Sequence, residues 1–490
     1  MPHTLQQVAN HNSSKSCWVI INDKVYDVTE FLPIHPGGAK IILKYAGKDA
    51  TAAYEPIHPT DALEKNLPPE KHLGPLDTAS KQILQAARDN REKTPDELRM
   101  EQEQARKPPL NRVMNVQQME DIARKIVAYK AFAYFSSASD DEITLHENAR
   151  AFSRFYFHPR ILRALSVLDT STTMLGYKMP IPMFVSGAAL AKLGHPLGEA
   201  NITVGAGREG IIQMVSSNAS MTYEEIANSR VHPDQILFFQ LYKNKDDAKA
   251  VERVREVERL GYKAIFLTVD APIIGNRERD VRSYWELDEI NAAGKNKSDL
   301  PLTQQQVEAA EEDIETNHDG TVGLTLADDD IDLTWEKTIP WLRSLTKLPI
   351  VLKGIQSDAV MAAEAGVDGI LISNHGGRQM EYSLPSIEVL YRIRKQRPDL
   401  FDKMEIYLDG GVRRGTDILK AVCLGAKACG LGRPFLYAQS AYGAAGVVKV
   451  IRIMQREIIS GMRLLGARSV AELVPEMVER VDWDSIKPRL

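Results

Sequence analysis

The sequence predicts an α/β chain, a (β/α)8 TIM barrel preceded by a small α+β unit. Three observations predict it. From about residue 110 onward, eight short, nearly continuous apolar runs recur with helical patterns between them. Before residue 76, short apolar segments are separated by turn residues. Between these regions, residues 81–107 are charged and poor in apolar side chains, and Pro108-Pro109 closes the stretch. The expected organisation is therefore a small unit over 1–76, a charged linker over 77–109 and a barrel over 110–490.

Within the first unit, CWVIIND and KVYDVTEFL read as paired strands with Asn22-Asp23 at the turn. IILKYAG and DATAAYEPI follow as short helical pieces. The linker reads as a solvated helix or a flexible connection. The barrel runs are 182–190, 211–217, 236–242, 264–270, 349–355, 369–375, 405–411 and 428–434. Their continuity suits strands buried on both faces of a parallel sheet. Helical patterns such as 246–261 and 358–366 lie between them, which implies right-handed βαβ crossovers. Eight strands is the number a TIM barrel demands, with a doubly wound open sheet as the competing arrangement. Between Asp270 and Pro349 the chain spends far more residues than a βα connection needs. Its polar part, 291–330, reads either as an excursion over the barrel's C-terminal mouth or as an insertion without a role.

Composition narrows the function classes. The 490 residues carry 61 Lys+Arg against 66 Asp+Glu, a net charge of -5, so a dominant nucleic-acid-binding surface is disfavoured. Three scattered cysteines, Cys17, Cys423 and Cys429, make neither a disulfide framework nor a CxxC site. No run of about 18 apolar residues predicts a membrane span. The N-terminus shows neither a secretory signal nor an Arg-rich presequence. The expectation is a soluble protein, cytoplasmic as the sequence stands, with the mitochondrial intermembrane space as the alternative.

Two histidines stand out in the first unit. His35 opens His-Pro-Gly-Gly, and His58 follows 23 residues later in Tyr-Glu-Pro-Ile-His-Pro. Neutral imidazole is a good axial ligand for haem iron, and two of them leave an iron suited to electron transfer. Zinc is the alternative, but cysteine or acidic partners at ligand spacing are missing. Through WVIINDKVYDVTEFLPIHPGG and YEPIH, residues 1–76 resemble a cytochrome b5 domain. The resemblance implies His35 and His58 as the two ligands of haem b.

The barrel motifs fall at the C-terminal ends of strands, where this fold carries its active site. Ser373-Asn374-His375-Gly376-Gly377-Arg378 ends the sixth strand. His375 suits a base near neutral pH, and Arg378 suits a carboxylate clamp. LTVDAP ends the fourth strand; Asp270 there either orients His375 or caps a helix. Arg277 follows closely and adds positive charge. Lys353 ends the fifth strand, where a buried cation needs an anionic partner such as a reduced flavin. Asp409-Gly410-Gly411-Val412-Arg413 and Gly432-Arg433 end strands seven and eight as a phosphate cradle. No GxGxxG follows a first strand, which disfavours a Rossmann nicotinamide site.

Taken in order, FFQLY, LTVDAP, LKG, SNHGGRQ, DGGVRRGTD, LGAKACGLGRPFLY and MRLLGARS strongly resemble the FMN-dependent 2-hydroxy acid dehydrogenase and oxidase family over about 112–475. The resemblance implies His375 as the catalytic base with Asp270 behind it. It implies substrate binding by Arg378, Arg277, Tyr134 and Tyr242. It assigns the flavin to Ser186, Gly187, Ala188, Ala189, Ser216, Gln240, Thr268 and Lys353, and its ribityl and phosphate groups to Asp409–Arg413 with Gly432-Arg433. Two positions depart from the family. Ala188 stands where threonine is usual. Asn218 stands where relatives carry a large apolar or aromatic side chain facing the substrate's tail, and so suggests a polar or shorter tail.

The implied reaction is oxidation of a small L-2-hydroxy acid, with L-lactate giving pyruvate as the leading case. FMN is the acceptor, and electrons pass through haem b to cytochrome c. The alternative is an oxidase that reduces oxygen to hydrogen peroxide. A homotetramer assembled through the barrels is also implied.

Overall fold

A computed structural model describes residues 2–292, 321 and 328–481. Most of the polar excursion read over 291–330 lies outside the described residues.

In the N-terminal unit, strands Asn12–Ser13, Ser16–Ile21, Lys24–Asp27 and His72–Pro75 form one antiparallel sheet. Asn22 and Asp23 both adopt left-handed backbone, φ 50° and 58°, the conformation that a two-residue hairpin turn requires. Helices Ala39–Leu43, Thr51–Tyr54 and Ala62–Asn66 cover one face. A small core of Val19, Ile21, Tyr26, Val28, Leu32 and Leu67 lies between the layers.

The charged stretch forms two helices with different attachments. Thr78–Asp89 is capped by Asp77, and Arg88 ties it to Asp49 (2.8 Å) and Asp23 (3.2 Å) of the N-terminal unit. Pro95–Arg106 begins with a Thr94/Glu97 capping box. Its Asp96 accepts the Tyr129 amide (3.0 Å), and Arg99 donates to the Val127 carbonyl (2.8 Å), so this helix is fastened to the barrel side.

All eight predicted runs are strands of one closed parallel barrel. We label them β1 (Met183–Val185), β2 (Gln213–Ser216), β3 (Leu237–Leu241), β4 (Ile265–Thr268), β5 (Ile350–Ile355), β6 (Gly369–Ile372), β7 (Glu405–Asp409) and β8 (Cys429–Leu431). β8 pairs with β1 and closes the ring. Side chains alternate across each strand. Phe184, Met214, Phe238, Phe266, Val351, Leu371 and Tyr407, one from each of β1 to β7, fill the interior with Ala428, which immediately precedes β8. Their neighbours, such as Val185, Phe239, Leu267 and Leu352, pack outward against the helices. Burying each large apolar side chain contributes about 1.5–3 kcal/mol, so this plug fixes the barrel's shape beneath the site.

Two further helices shape the mouth. Tyr129–Ser136 carries Tyr134, and Glu278–Ala292 packs against it. Tyr129 hydrogen-bonds Glu286, and Arg279 reaches Ser136 Oγ (2.6 Å).

Candidate active site

Two residues beyond the apolar plug, the same inward-facing register becomes polar. The positions are Ser186, Ser216, Gln240, Thr268, Lys353, Ser373, Asp409 and Gly430. The period of two thus stacks a polar layer on an apolar one at the C-terminal ends of all eight strands. Hydrogen bonds link the layer. Ser216 Oγ donates to Gln240 Oε1 (2.9 Å), Gln240 Nε2 to Thr268 Oγ1 (2.8 Å), and Ser186 Oγ to Asp409 Oδ2 (2.9 Å).

A cavity opens above this layer. Most of the predicted flavin contacts line it: Ser186 to Ala189, Ser216, Gln240, Lys353, Asp409 to Arg413, Gly432 and Arg433. Thr268 does not; it stands behind Gln240 as the acceptor of its amide. The cradle suits a phosphate-bearing flavin by its chemistry. Buried amide and hydroxyl groups sit on one side and a lysine ammonium with Asp270 (3.6 Å) beside it. On the other side, Gly410 and Gly411 (φ 91° and 80°) turn the backbone where two arginines lie close. A Cβ on Gly411 would lie 2.2 Å from the Asn148 carbonyl oxygen, so only glycine permits that turn. Arg413 also pairs with Glu120 (2.6 Å), and Arg433 donates to the Gly376 carbonyl.

His375 sits at the centre. Its backbone is left-handed (φ 57°), and Gly376 and Gly377 follow at 66° and 81°. Such strain in a non-glycine residue persists only where surrounding contacts impose it. Asn374 and Asn148 exchange two amide hydrogen bonds (2.8 and 2.7 Å), and the Ser373 hydroxyl accepts the His375 amide (3.0 Å). Nδ1 of His375 lies 3.0 Å from Asp270 Oδ1, and Nε2 lies 3.2 Å from the Tyr242 hydroxyl. Donation of Nδ1–H to Asp270 leaves the Nε2 lone pair facing the cavity. Burial, reinforced by Lys353, pushes the His375 pKa down to about 4, so the ring is neutral at physiological pH. Burial alone would raise Asp270, but Lys353 and His375 hold it ionised below the usual carboxylate range. Asp270 does not line the cavity; it acts from behind the histidine.

Arg378 is anchored through Nη1 to the carbonyls of Tyr134 (2.9 Å) and Ser137 (2.7 Å) and lies over the Tyr134 ring (5.2 Å). Arg277 donates from Nε to the Arg378 carbonyl (3.3 Å). Burial and the neighbouring Arg378 both disfavour its charge, an arrangement that an incoming anion relieves. Tyr134, Tyr242, Arg277 and Arg378 all line the same cavity.

A second cavity lies in the N-terminal unit. The rings of His35 and His58 face each other across it with centroids 6.2 Å apart. Two imidazole–metal bonds of about 2 Å set in line, plus the ring radii, span about 6 Å, so one iron fits between them. Each Nδ1 is held by a backbone carbonyl, His35 to Gly38 (3.2 Å) and His58 to Tyr54 (3.0 Å), which orients Nε2 as the ligand atom. Burial lowers the pKa of both, that of His58 to about 4, which favours the neutral imidazole that can bind a metal. Val19, Ile21, Phe31, Ile42 and Leu63 supply apolar walls suited to a porphyrin. Zinc lacks support, since no cluster of three or more His, Cys, Asp or Glu occurs among the described residues.

Sequence reasoning missed the partition between the two cavities. Leu190, Ser217, Asn218 and Ala219, from the loops after β1 and β2, close the barrel side of the histidine crevice. Among the described residues, Asn218 alone lines both cavities. Nothing in local composition marks these residues, because the N-terminal unit that makes them a wall lies over a hundred residues away.

These features together define a flavin-dependent oxidoreductase barrel joined to a bis-histidine haem unit. Comparison agrees with that class. The FMN-dependent dehydrogenase family profile matches residues 123–480, and the cytochrome b5-like heme/steroid binding domain profile matches residues 4–77. The chain belongs to the FMN-dependent dehydrogenase family, carries a cytochrome b5-like domain in front of it, and uses FMN and haem b. It is 45% identical to the L-lactate dehydrogenase (cytochrome) of Wickerhamomyces anomalus over 97% of this chain and 79% of that protein. The Saccharomyces cerevisiae protein of the same name is 43% identical over 99% of this chain and 80% of that one. Glycolate oxidase of Spinacia oleracea is 37% identical and matches 77% of this chain and 98% of its own. Among solved structures, a double mutant of flavocytochrome b2 with pyruvate bound is 42% identical, with a TM-score of 0.69, over 79% of this chain and 92% of that one.

Proposed function

We propose that the protein oxidises a small L-2-hydroxy acid, L-lactate foremost, to the 2-oxo acid and passes the electrons through haem b to cytochrome c. The observation that carries this reading is the placement of a neutral, carboxylate-backed imidazole and two arginines in one cavity, one residue thick from a bis-histidine crevice. When bound, the flavin supplies the two-electron acceptor and the haem the one-electron relay. Arg378 and Arg277 hold the substrate carboxylate, and the Tyr134 and Tyr242 hydroxyls set its orientation. His375 Nε2 then takes a proton from the substrate, and Asp270 stabilises the resulting imidazolium. Arg378 is held by hydrogen bonds to main-chain carbonyls, which cannot titrate.

A second substrate reading has its own support. The Asn218 amide belongs to the cavity wall, where relatives of this family place an apolar group, and it favours a hydroxy acid with a polar or shorter tail. The adjoining histidine crevice favours cytochrome c over oxygen as final acceptor. A panel of L-lactate, glycolate and glycerate, read by haem absorbance under anaerobic conditions, tests substrate and route together. Lactate is expected to reduce the haem; peroxide formation without haem reduction would instead mark an oxidase.

An apolar surface supports assembly into a homotetramer. Ile161, Leu162, Val167 and Leu464 are all more than 75% exposed, and Arg160 donates its amide to the Leu465 carbonyl, which brings the two segments together. Patches of this kind mark association surfaces. Among the described residues, no helix is long and apolar enough to cross a membrane.

A further inference from the structure

The partition between the two cavities is built from two loops, and one buried side chain staples them. Glu199 lies in the first turn of helix Gly198–Arg208 and is 2% exposed. Its Oε1 accepts the backbone amides of Ala191 (3.0 Å) and Ser220 (2.9 Å), and its Oε2 accepts the Ser220 hydroxyl (2.8 Å). Ser220 Oγ in turn accepts the Lys192 amide (2.9 Å). Ala191 and Lys192 follow Leu190, and Ser220 follows Ala219; Leu190 and Ala219 face the histidine crevice. Both loops need holding. Leu190 is a non-glycine residue in left-handed backbone (φ 57°), and an unrestrained loop would relax from it.

A carboxylate is the side chain this junction requires. Three donors converge on two oxygens, and a carboxylate accepts all of them while donating nothing. Burial raises its pKa above the ordinary carboxylate range, and the hydrogen bonds from Ser220 and Ala191 offset part of that penalty. The site chemistry does not use Glu199: it touches none of His375, Arg378 or the polar layer. The loops it joins carry the wall, which is one residue thick at Asn218.

We propose that Glu199 is a positioning residue for the second half of the reaction, fixing the partition across which electrons leave the barrel for the haem. Electron exchange between two centres falls steeply with the separation and looseness of what lies between them. A slackened partition therefore slows that step and leaves substrate oxidation alone. The inference rests on the proposed route from flavin to haem.

The test is anaerobic stopped-flow on the full-length holoenzyme, following flavin and haem absorbance separately after mixing with L-lactate. Glu199→Ala removes all three acceptor contacts, and the staple opens. Flavin reduction is expected within about twofold of the unmodified protein, with haem reduction at least about tenfold slower, in line with the loss of buried hydrogen bonds. Hydrogen exchange at the Ala191, Lys192 and Ser220 amides is expected to rise, with the oxidised haem spectrum unchanged. Ser220→Ala, which removes one hydroxyl and leaves the carboxylate, is the milder variant should the first fail to fold; a selective slowing of haem reduction of about threefold is expected. Equal slowing of both phases, or no change in either variant, overturns the proposal. If the unmodified protein reduces its flavin and never its haem, the route itself fails, and that result is distinguishable from failure of the staple.

Discussion

At the scale of single residues, the role proposed for His375 rests on three neighbours that define its state. Asp270 selects the tautomer, Tyr242 meets the opposite nitrogen, and burial with Lys353 keeps the ring uncharged. Replacing His375 with glutamine is expected to slow flavin reduction by about 10²–10⁴-fold, with the haem spectrum intact. The pH dependence follows in sign. A base works only while unprotonated, and the folded-state pKa lies below the ordinary 6.5, at about 4. The acid limb of kcat/KM should therefore fall well below pH 6.5; a limb at or above that value would contradict the assignment. The same depression means that acidification from pH 6.5 toward 4 protonates the unfolded chain before the folded one, so stability is lost over that window. His375, Asp270 and Arg378 were legible in the sequence because each sits in a motif at a strand end. Asn218 was singled out for the substrate side only, since its place in the partition depends on a distant unit, and Glu199 was not legible because its partners, Ala191 and Ser220, come from two separate loops.

At the scale of elements, the alternation of each strand places the site. Phe184 and Ser186, Phe238 and Gln240, Val351 and Lys353, Tyr407 and Asp409 are the same register two residues apart, apolar below and polar above. The strands and their order were legible in the apolar runs, whereas this alternation was not, because the runs read as nearly continuous. The β5 end is tightly packed against Asp270. Gly354 has φ 109°, at a register shift between Lys353 and Ile355, and a Cβ there would lie 2.3 Å from the Asp270 Cβ. Gly354→Ala is thus expected to displace Asp270, with a cost of about 1–3 kcal/mol in stability and a fall in flavin reduction larger than that stability loss explains. Thermal unfolding and stopped-flow on the same preparation measure the two effects. The charged stretch illustrates what composition hides. Its two helices look alike in sequence, yet Arg88 binds one unit and Arg99 the other, and no local pattern shows which.

At the scale of the whole molecule, two cofactor-binding units share a wall. Ile57 of the N-terminal unit packs against the barrel core, Thr60 hydrogen-bonds Glu225 (3.0 Å), and Lys65 pairs with Glu256 (3.6 Å). Exposed pairs of this kind contribute little, about 0–1 kcal/mol each, so the units are held mainly by shape and the apolar contact. Composition and charge had excluded nucleic acid and disulfides without pointing to either cofactor; some twenty residues at strand ends and two histidines carried that information. The most direct test of the account is to mix L-lactate anaerobically with the unmodified protein and with His58→Ala and to follow flavin and haem absorbance. The unmodified protein is expected to bleach its flavin and then reduce its haem. The variant, lacking one iron ligand, should bleach its flavin at an unchanged rate, hold no reducible haem and lose cytochrome c reduction. Haem reduction that precedes flavin bleaching, or cytochrome c reduction undiminished in the variant, would contradict it.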